Sequence, residues 1–347
     1  MTARLRRMRL WMAAWAGAAA VACTFVPPPP VRTASGIAQG TTYSLQWTGG
    51  ATEPEIAAAA AQELERLDAL LSNYRADSTL ERFNATHSTE PIELPSELVA
   101  LLGLAHRVHA ASAGCFDPTV RPLVRAWGFD GDAPAVPTAA AIDTARATVG
   151  LDKLALLDAT HVRKSVAALE IDMASIGQGY TAGRLADVLE RHGSTAYLAE
   201  IGGEIVARGA KPDGSPWRIG VEHPAGFQAG PALRMPQAAR TAVITSGSYR
   251  HYLEAEGRRF GHIIDPRSGW PVEHALMSVT VVGPDAATAA AWGTALLCLG
   301  PEAAAAVAER EELAALLWVG SGDEPALEQS RTFSSEWQQL LDEAPSR

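Results

Sequence analysis

Helix-like and strand-like periodicities follow one another along this chain without a βαβ beat, and that order restricts the fold more than any other feature. Strand patterns fall at Thr41–Trp47, Ala167–Asp172, Ala196–Ala199, Glu204–Ala207, Trp217–Val221, Ala242–Thr245, Ser278–Val282 and Ala315–Val319. Helix patterns fall at Thr52–Leu71, where Ile56, Leu64, Leu67, Leu70 and Leu71 form one stripe, and at Ser96–Ala113, closed by Gly114. Further helices are expected from Thr138 to Gly150, Ser175–His192, Ala286–Leu299 and Glu302–Glu312, with Gly128–Pro137 as a loop. Strands that recur without one crossover helix each argue against a doubly wound sheet. The expectation is α+β: mixed or antiparallel sheets with packed helices, in a two-lobed single unit.

A length of 347 residues allows one large or two modest domains. The net charge of −10 argues against a polyanion-binding surface and a nucleic-acid partner, because such binding rests on Lys and Arg neutralising phosphates; an anionic ligand would need local amides, helix N-termini or a metal ion. The N-terminus reads as a targeting segment. Arg4, Arg6, Arg7 and Arg9 precede the apolar run Trp11–Ala22, too short to span a bilayer as a mature helix. Val21-Ala22-Cys23 resembles a bacterial lipoprotein cleavage site, which would leave Cys23 lipidated; an ordinary cleaved signal with an incidental Cys is the plainer alternative. Residues 1–23 are therefore read as a lipoprotein signal peptide, 24–35 as a Pro-rich linker and 36–340 as the functional domain. The location implied is the cell envelope of a bacterium, lipid-anchored and facing the periplasm. Cys115 and Cys298 remain. They could pair in an oxidising compartment, although the apolar setting ALLCLG reads Cys298 as a buried structural thiol.

Several segments carry groups that could do chemistry. TSGSYRHYLEAEGRRFGHIIDPRSGWPVEH (245–274) holds Thr245, Ser246, His262 and Asp265 between short apolar runs. A lone His is usually structural, but the acid three residues on leaves a site role equally open. IDMASIGQGYTAGRL runs from Asp172 through Ser175 and Gln178 into a helix, where free amides can cradle phosphate. Many strand–helix turns look the same. GCFDP (114–118) sets Asp117 beside Phe116, either to meet a planar ligand or simply to accept amides two residues on. Tyr74 could stack on a planar ring or pack at a helix end. Glu200-Ile-Gly-Gly-Glu204 reads mainly as a tight turn. Thr294 is a lone helical Thr, ordinarily solvated or bonded to its own backbone.

In this order and spacing the segments GTTY, SNYRADS, FDPTVRPLVRAWGF, DMASIGQGY, IGGE, WRIGVEHP, TSGSYRHY, HIIDPRSGWPVEH and WGTALLCLG resemble the FAD:protein FMN transferase (ApbE) family over about residues 36–335. That resemblance implies transfer of FMN from FAD, through a phosphodiester bond, to a Thr or Ser hydroxyl of a partner redox protein, with release of AMP. The implied acceptor is a flavin-carrying subunit of a membrane redox complex. By resemblance, FAD contacts fall on Tyr74, Cys115, Phe116, Asp117, Asp172, Gln178 and Ile264. His262 falls on the signature His, with Thr245 and Ser246 beside it. Mg²⁺ would be held by the Ser175 carbonyl and the Thr294 hydroxyl.

The chain departs from the family pattern at three positions. Gln39 stands where Met is usual, and Gln178 where Lys is common. Ala290 stands where an Asp, four residues before the Thr, would complete the metal site. A methyl cannot replace a hard oxygen ligand, so weakened metal binding is expected. Asp285 is five residues earlier and points elsewhere on a regular helix. The alternatives are a non-catalytic or weakly active FAD-binding lipoprotein, and a hydrolase that releases FMN and AMP.

Overall fold

The computed structural model describes residues 30–131, 135–224, 230–249, 251–255, 257–320, 325–330 and 332–342. The targeting segment and Cys23 lie outside the described residues. An eight-stranded sheet forms the centre. Its strands are β1 (Arg32–Ala38), β2 (Thr41–Gly49), β3 (Ser194–Ile201), β4 (Glu204–Arg208), β5 (Thr241–Gly247), β6 (Leu276–Gly283), β7 (Ala314–Val319) and β8 (Ala326–Gln329). They lie side by side in that order, and every neighbouring pair is antiparallel. The chain thus builds a meander and spends its long connections on helices. Strand β1 begins at Arg32, inside the segment read as a linker.

Five helices matter for the site: α1 (Glu53–Leu71), α2 (Ser96–Ala111), α3 (Ala174–Arg191), α4 (Ala286–Leu299) and α5 (Pro301–Arg310). At the start of α1, the Glu55 carboxylate accepts from the Thr52 amide (2.8 Å), satisfying a donor that the helix leaves free. α3 and α4 pack on each other and on the sheet. Glycine sets their approach: a Cβ on Gly179 would lie 2.6 Å from the Ala290 Cβ and 2.7 Å from the Ala286 carbonyl.

Strand alternation divides the core. Leu45, Tyr197, Val206, Ile244, Val279 and Val281 face the helices. Ala207, Val243, Val282 and Leu316 face away, against Trp217, Ile219, Leu233 and Phe333. A third cluster joins Leu123, Trp127 and Ile142 to Phe260 and Ile264. It seats the hairpin Tyr252–Ala255/Arg258–Gly261 on the short helices Arg121–Ala126 and Ala139–Arg146. Trp127 seals that junction, its indole N–H donating to the Gly269 carbonyl at 2.9 Å. Gly269, at φ +79°, has no room for a Cβ, which would fall 2.5 Å from Ile142.

The strand expected at Ala167–Asp172 is not formed. Among the described residues no neighbouring strand supplies a ladder there. The Asn84 side chain does the pairing instead, donating to the Ile171 carbonyl (3.0 Å) and accepting from its amide (2.8 Å). The helix expected to reach Gly150 stops at Arg146.

Candidate active site

The candidate segments meet through a chain of direct contacts. The turn after α1 carries Asn73 and Tyr74. Asn73 donates to the Asp172 carboxylate (2.5 Å), which also accepts from the Ala174 amide at the start of α3 (2.7 Å). The Asp172 amide donates to the Pro118 carbonyl (2.7 Å), tying α3 to the Gly114–Val120 loop. That loop is bonded to α4 by a disulfide between Cys115 and Cys298. Cys298 therefore is not the free thiol expected from its apolar setting; burial and bridging occur together. The Asp265 carboxylate lies within 4.8 Å of both sulfurs, which brings the His262–Pro266 segment to the same place.

Thr245 and Ser246, neighbours in sequence, point to opposite faces of the sheet. Thr245 bonds Thr280 across β5 and β6 (2.8 Å). Ser246 faces α4, its hydroxyl 3.5 Å from that of Thr294. Gly293 makes this approach possible, since a Cβ there would fall 2.8 Å from the Ser246 Oγ. Only Ser246 of the pair reaches Thr294.

His262 follows Gly261, whose Cα side faces Ser248, two residues beyond Ser246. Its Nδ1 and its amide both meet the His251 carbonyl, each at 3.1 Å. A hydrogen on Nδ1 satisfies that carbonyl and leaves Nε2 as the basic nitrogen. Burial pushes the imidazole below its ordinary pKa, with the His251 carbonyl opposing. A neutral ring near neutral pH suits a proton acceptor. Burial likewise raises the Asp172 carboxyl, against its Ala174 and Asn73 donors.

Other candidates are committed differently. Asp117 is buried, and its oxygens accept from the Thr119 amide and hydroxyl and from the Leu151 amide. Its carboxylate builds the loop, so what the loop offers a ligand is backbone and the neighbouring Phe116, also buried. Ile264 is buried in the third cluster and bridges Pro271. Tyr74 is 90% exposed, with its ring free to receive a planar partner. The Gln178 side chain lies over the Gly202–Gly203 turn, 3.3 Å from a Cβ position on Gly202. Asp285 caps α4, accepting from the Thr288 amide (2.8 Å). A groove of about 550 Å³ lined by Pro122, Arg125, Thr144 and Glu170 lies elsewhere and contains none of the candidates.

Two residues escaped the sequence reading. Asn73 is one position from Tyr74 and carried no signal of its own. Glu204, taken as part of a tight turn, has a sealed Oε2 with no partner among the described residues. Burial pushes its carboxyl up to about 8, against the Thr245 amide that donates to it. The Thr294 hydroxyl, the Ser175 carbonyl and the orphaned Glu204 carboxyl are hard-oxygen donors of the kind that Mg²⁺ takes. By donor type alone these residues suit a divalent cation, with the methyl of Ala290 adding no ligand.

Residues 39–317 match the ApbE family. The FAD:protein FMN transferase of Escherichia coli is 37% identical over 266 residues, 75% of this chain and 76% of that protein. That of Vibrio cholerae is 34% identical over 321 residues, covering 91% and 95%. The crystal structure of the Pseudomonas stutzeri flavinyl transferase ApbE, in its apo form, superposes with a TM-score of 0.81 at 36% identity, covering 89% of this chain and 98% of that one.

Proposed function

Since the chain belongs to the ApbE family, we propose that it transfers FMN from FAD to a Thr or Ser hydroxyl of a partner redox protein and releases AMP. One observation carries the reading beyond family membership: contacts run from the Tyr74 turn through Asp172 and Pro118, across the disulfide to α4, and on to Ser246. Segments far apart in sequence thus close around one place. Tyr74 and the loop around Phe116 would hold the flavin side. Asp172, locked by Asn73 and Ala174, would orient it.

In the reaction the acceptor hydroxyl oxygen attacks the phosphorus of the FMN half. Its proton passes to Nε2 of His262, the P–O bond to the AMP half breaks, and AMP leaves with that oxygen. Positioning dominates such phosphoryl chemistry. The Ser175 carbonyl and the Thr294 hydroxyl would hold Mg²⁺, which when bound neutralises charge on the diphosphate. Ser246 braces Thr294 from β5.

The acceptor is a flavin-carrying subunit of a membrane redox complex, and the enzyme is anchored through lipidated Cys23 at the periplasmic face. The Cys115–Cys298 bridge supports an oxidising compartment.

Incubation with FAD, Mg²⁺ and an acceptor domain tests the reading. Flavin fluorescence on the acceptor after denaturing electrophoresis, with AMP released, is expected. FAD binding without AMP would leave a binding protein only, and free FMN without labelling would make it a hydrolase.

A further inference from the structure

Position 290 carries a methyl, so a diphosphate-bound cation here needs its negative charge from elsewhere in the protein. The nearby acids are largely spoken for. Asp285 caps α4, one Asp172 oxygen takes two donors, and Glu200 accepts from the Gly203 amide. Glu204 differs. It opens β4 directly after the Gly202–Gly203 turn, whose φ values of +61° and +94° need glycine. It shares a sheet face with Val206, and Val206 faces the helices. Ser246 shares that same face with Ile244 on the adjacent strand. The Glu204 carboxyl accepts from the Thr245 amide, one residue from Ser246. Ser246 in turn reaches Thr294. Gln178 of α3 covers the turn from the other side. β4 packs against α3 and α4 and pairs with β5, the elements that bear Ser175, Thr294 and Ser246, and the free Oε2 is sealed from solvent.

We propose that Glu204 supplies the carboxylate of the divalent-cation site in this chain, in the role that Ala290 cannot fill. The proposal rests on the transferase reading for the place of the cation, and on the orphaned oxygen for the ligand. Mg²⁺ favours one or two carboxylates beside phosphate and water oxygens, and Glu204 provides one.

The test uses Mn²⁺ as probe, with free Mn²⁺ followed by electron paramagnetic resonance, on the whole protein with and without ADP. Glu204→Gln keeps an oxygen for the Thr245 amide and removes only the charge. It is expected to weaken Mn²⁺ binding at least tenfold, and Ala290→Asp is expected to restore it in that background. In the wild type, Ala290→Asp should change affinity less than threefold. Affinity within twofold of wild type in Glu204→Gln overturns the proposal. If that variant does not fold, a gain above tenfold from Ala290→Asp alone overturns it, because it shows that the charge was missing. Mn²⁺ affinity is read without turnover, so a Glu204-dependent site in a protein that transfers no FMN would sink the transferase reading and spare this one.

Discussion

Ser246 and Thr245 show how much turns on a single residue's direction. Both looked like site hydroxyls in the sequence, yet strand alternation sends one to α4 and the other to Thr280. Ser246→Ala should cut the rate of FMN transfer about tenfold. Thr245→Ala should leave the rate within about threefold and cost about 1 kcal/mol of stability, the usual worth of one hydrogen bond; urea unfolding beside single-turnover assays separates the two. His262 has a pKa lowered from 6.5 by burial, so it stays neutral into mildly acidic solution. The acid limb of kcat/KM should therefore lie below pH 6.5 and vanish in His262→Ala, and a limb centred above pH 7 would contradict the assignment. Glu204 has its pKa raised from 4.5 to about 8, so the folded protein holds a proton that the unfolded chain releases. Stability in chelator should fall as pH rises from 4.5 to 8, by on the order of 3 kcal/mol, and Glu204→Gln should remove the slope. None of this was legible from residue type alone. A turn signal hid Glu204, and Asp117 proved to be the amide acceptor that its plainer reading described.

Elements were read better than residues, because apolar periodicity reports directly on which face is buried. α1, α3 and α4 fall where the pattern puts them: α1 and α3 each bury one apolar face, and α4 is buried nearly all round. The failure at Ala167–Asp172 has a local cause: an apolar run was mistaken for a strand although the chain offers it only an asparagine side chain to pair with. The β1 strand was hidden by the proline run before it and by its own small, polar residues. Two elements lend themselves to test. Gly179→Ala places a methyl within 2.6 Å of Ala290 and should cost about 1–3 kcal/mol while separating α3 from α4, with FAD affinity falling alongside thermal stability. The Cys115–Cys298 bridge closes a chain separation of 183 residues. Replacing both cysteines by Ser should cost about 3–5 kcal/mol, read as a lower midpoint of thermal unfolding.

At the scale of the molecule, an antiparallel meander carries α1 to α5 on one face, and a side lobe brings the His262 segment back to them. The α+β class was legible because strands and helices are interspersed without a repeating unit. The meander order was not, since pairing partners are fixed by tertiary packing rather than by spacing. The fold positions distant segments, and the claim that depends on it is that FMN moves to another protein rather than to water. Intact-mass measurement of an acceptor domain after incubation with this protein, FAD and Mg²⁺ tests that claim most directly. The account predicts a gain equal to one FMN less one water, on a single Thr or Ser, matched mole for mole by AMP. An acceptor of unchanged mass while FAD is consumed to free FMN and AMP would contradict it.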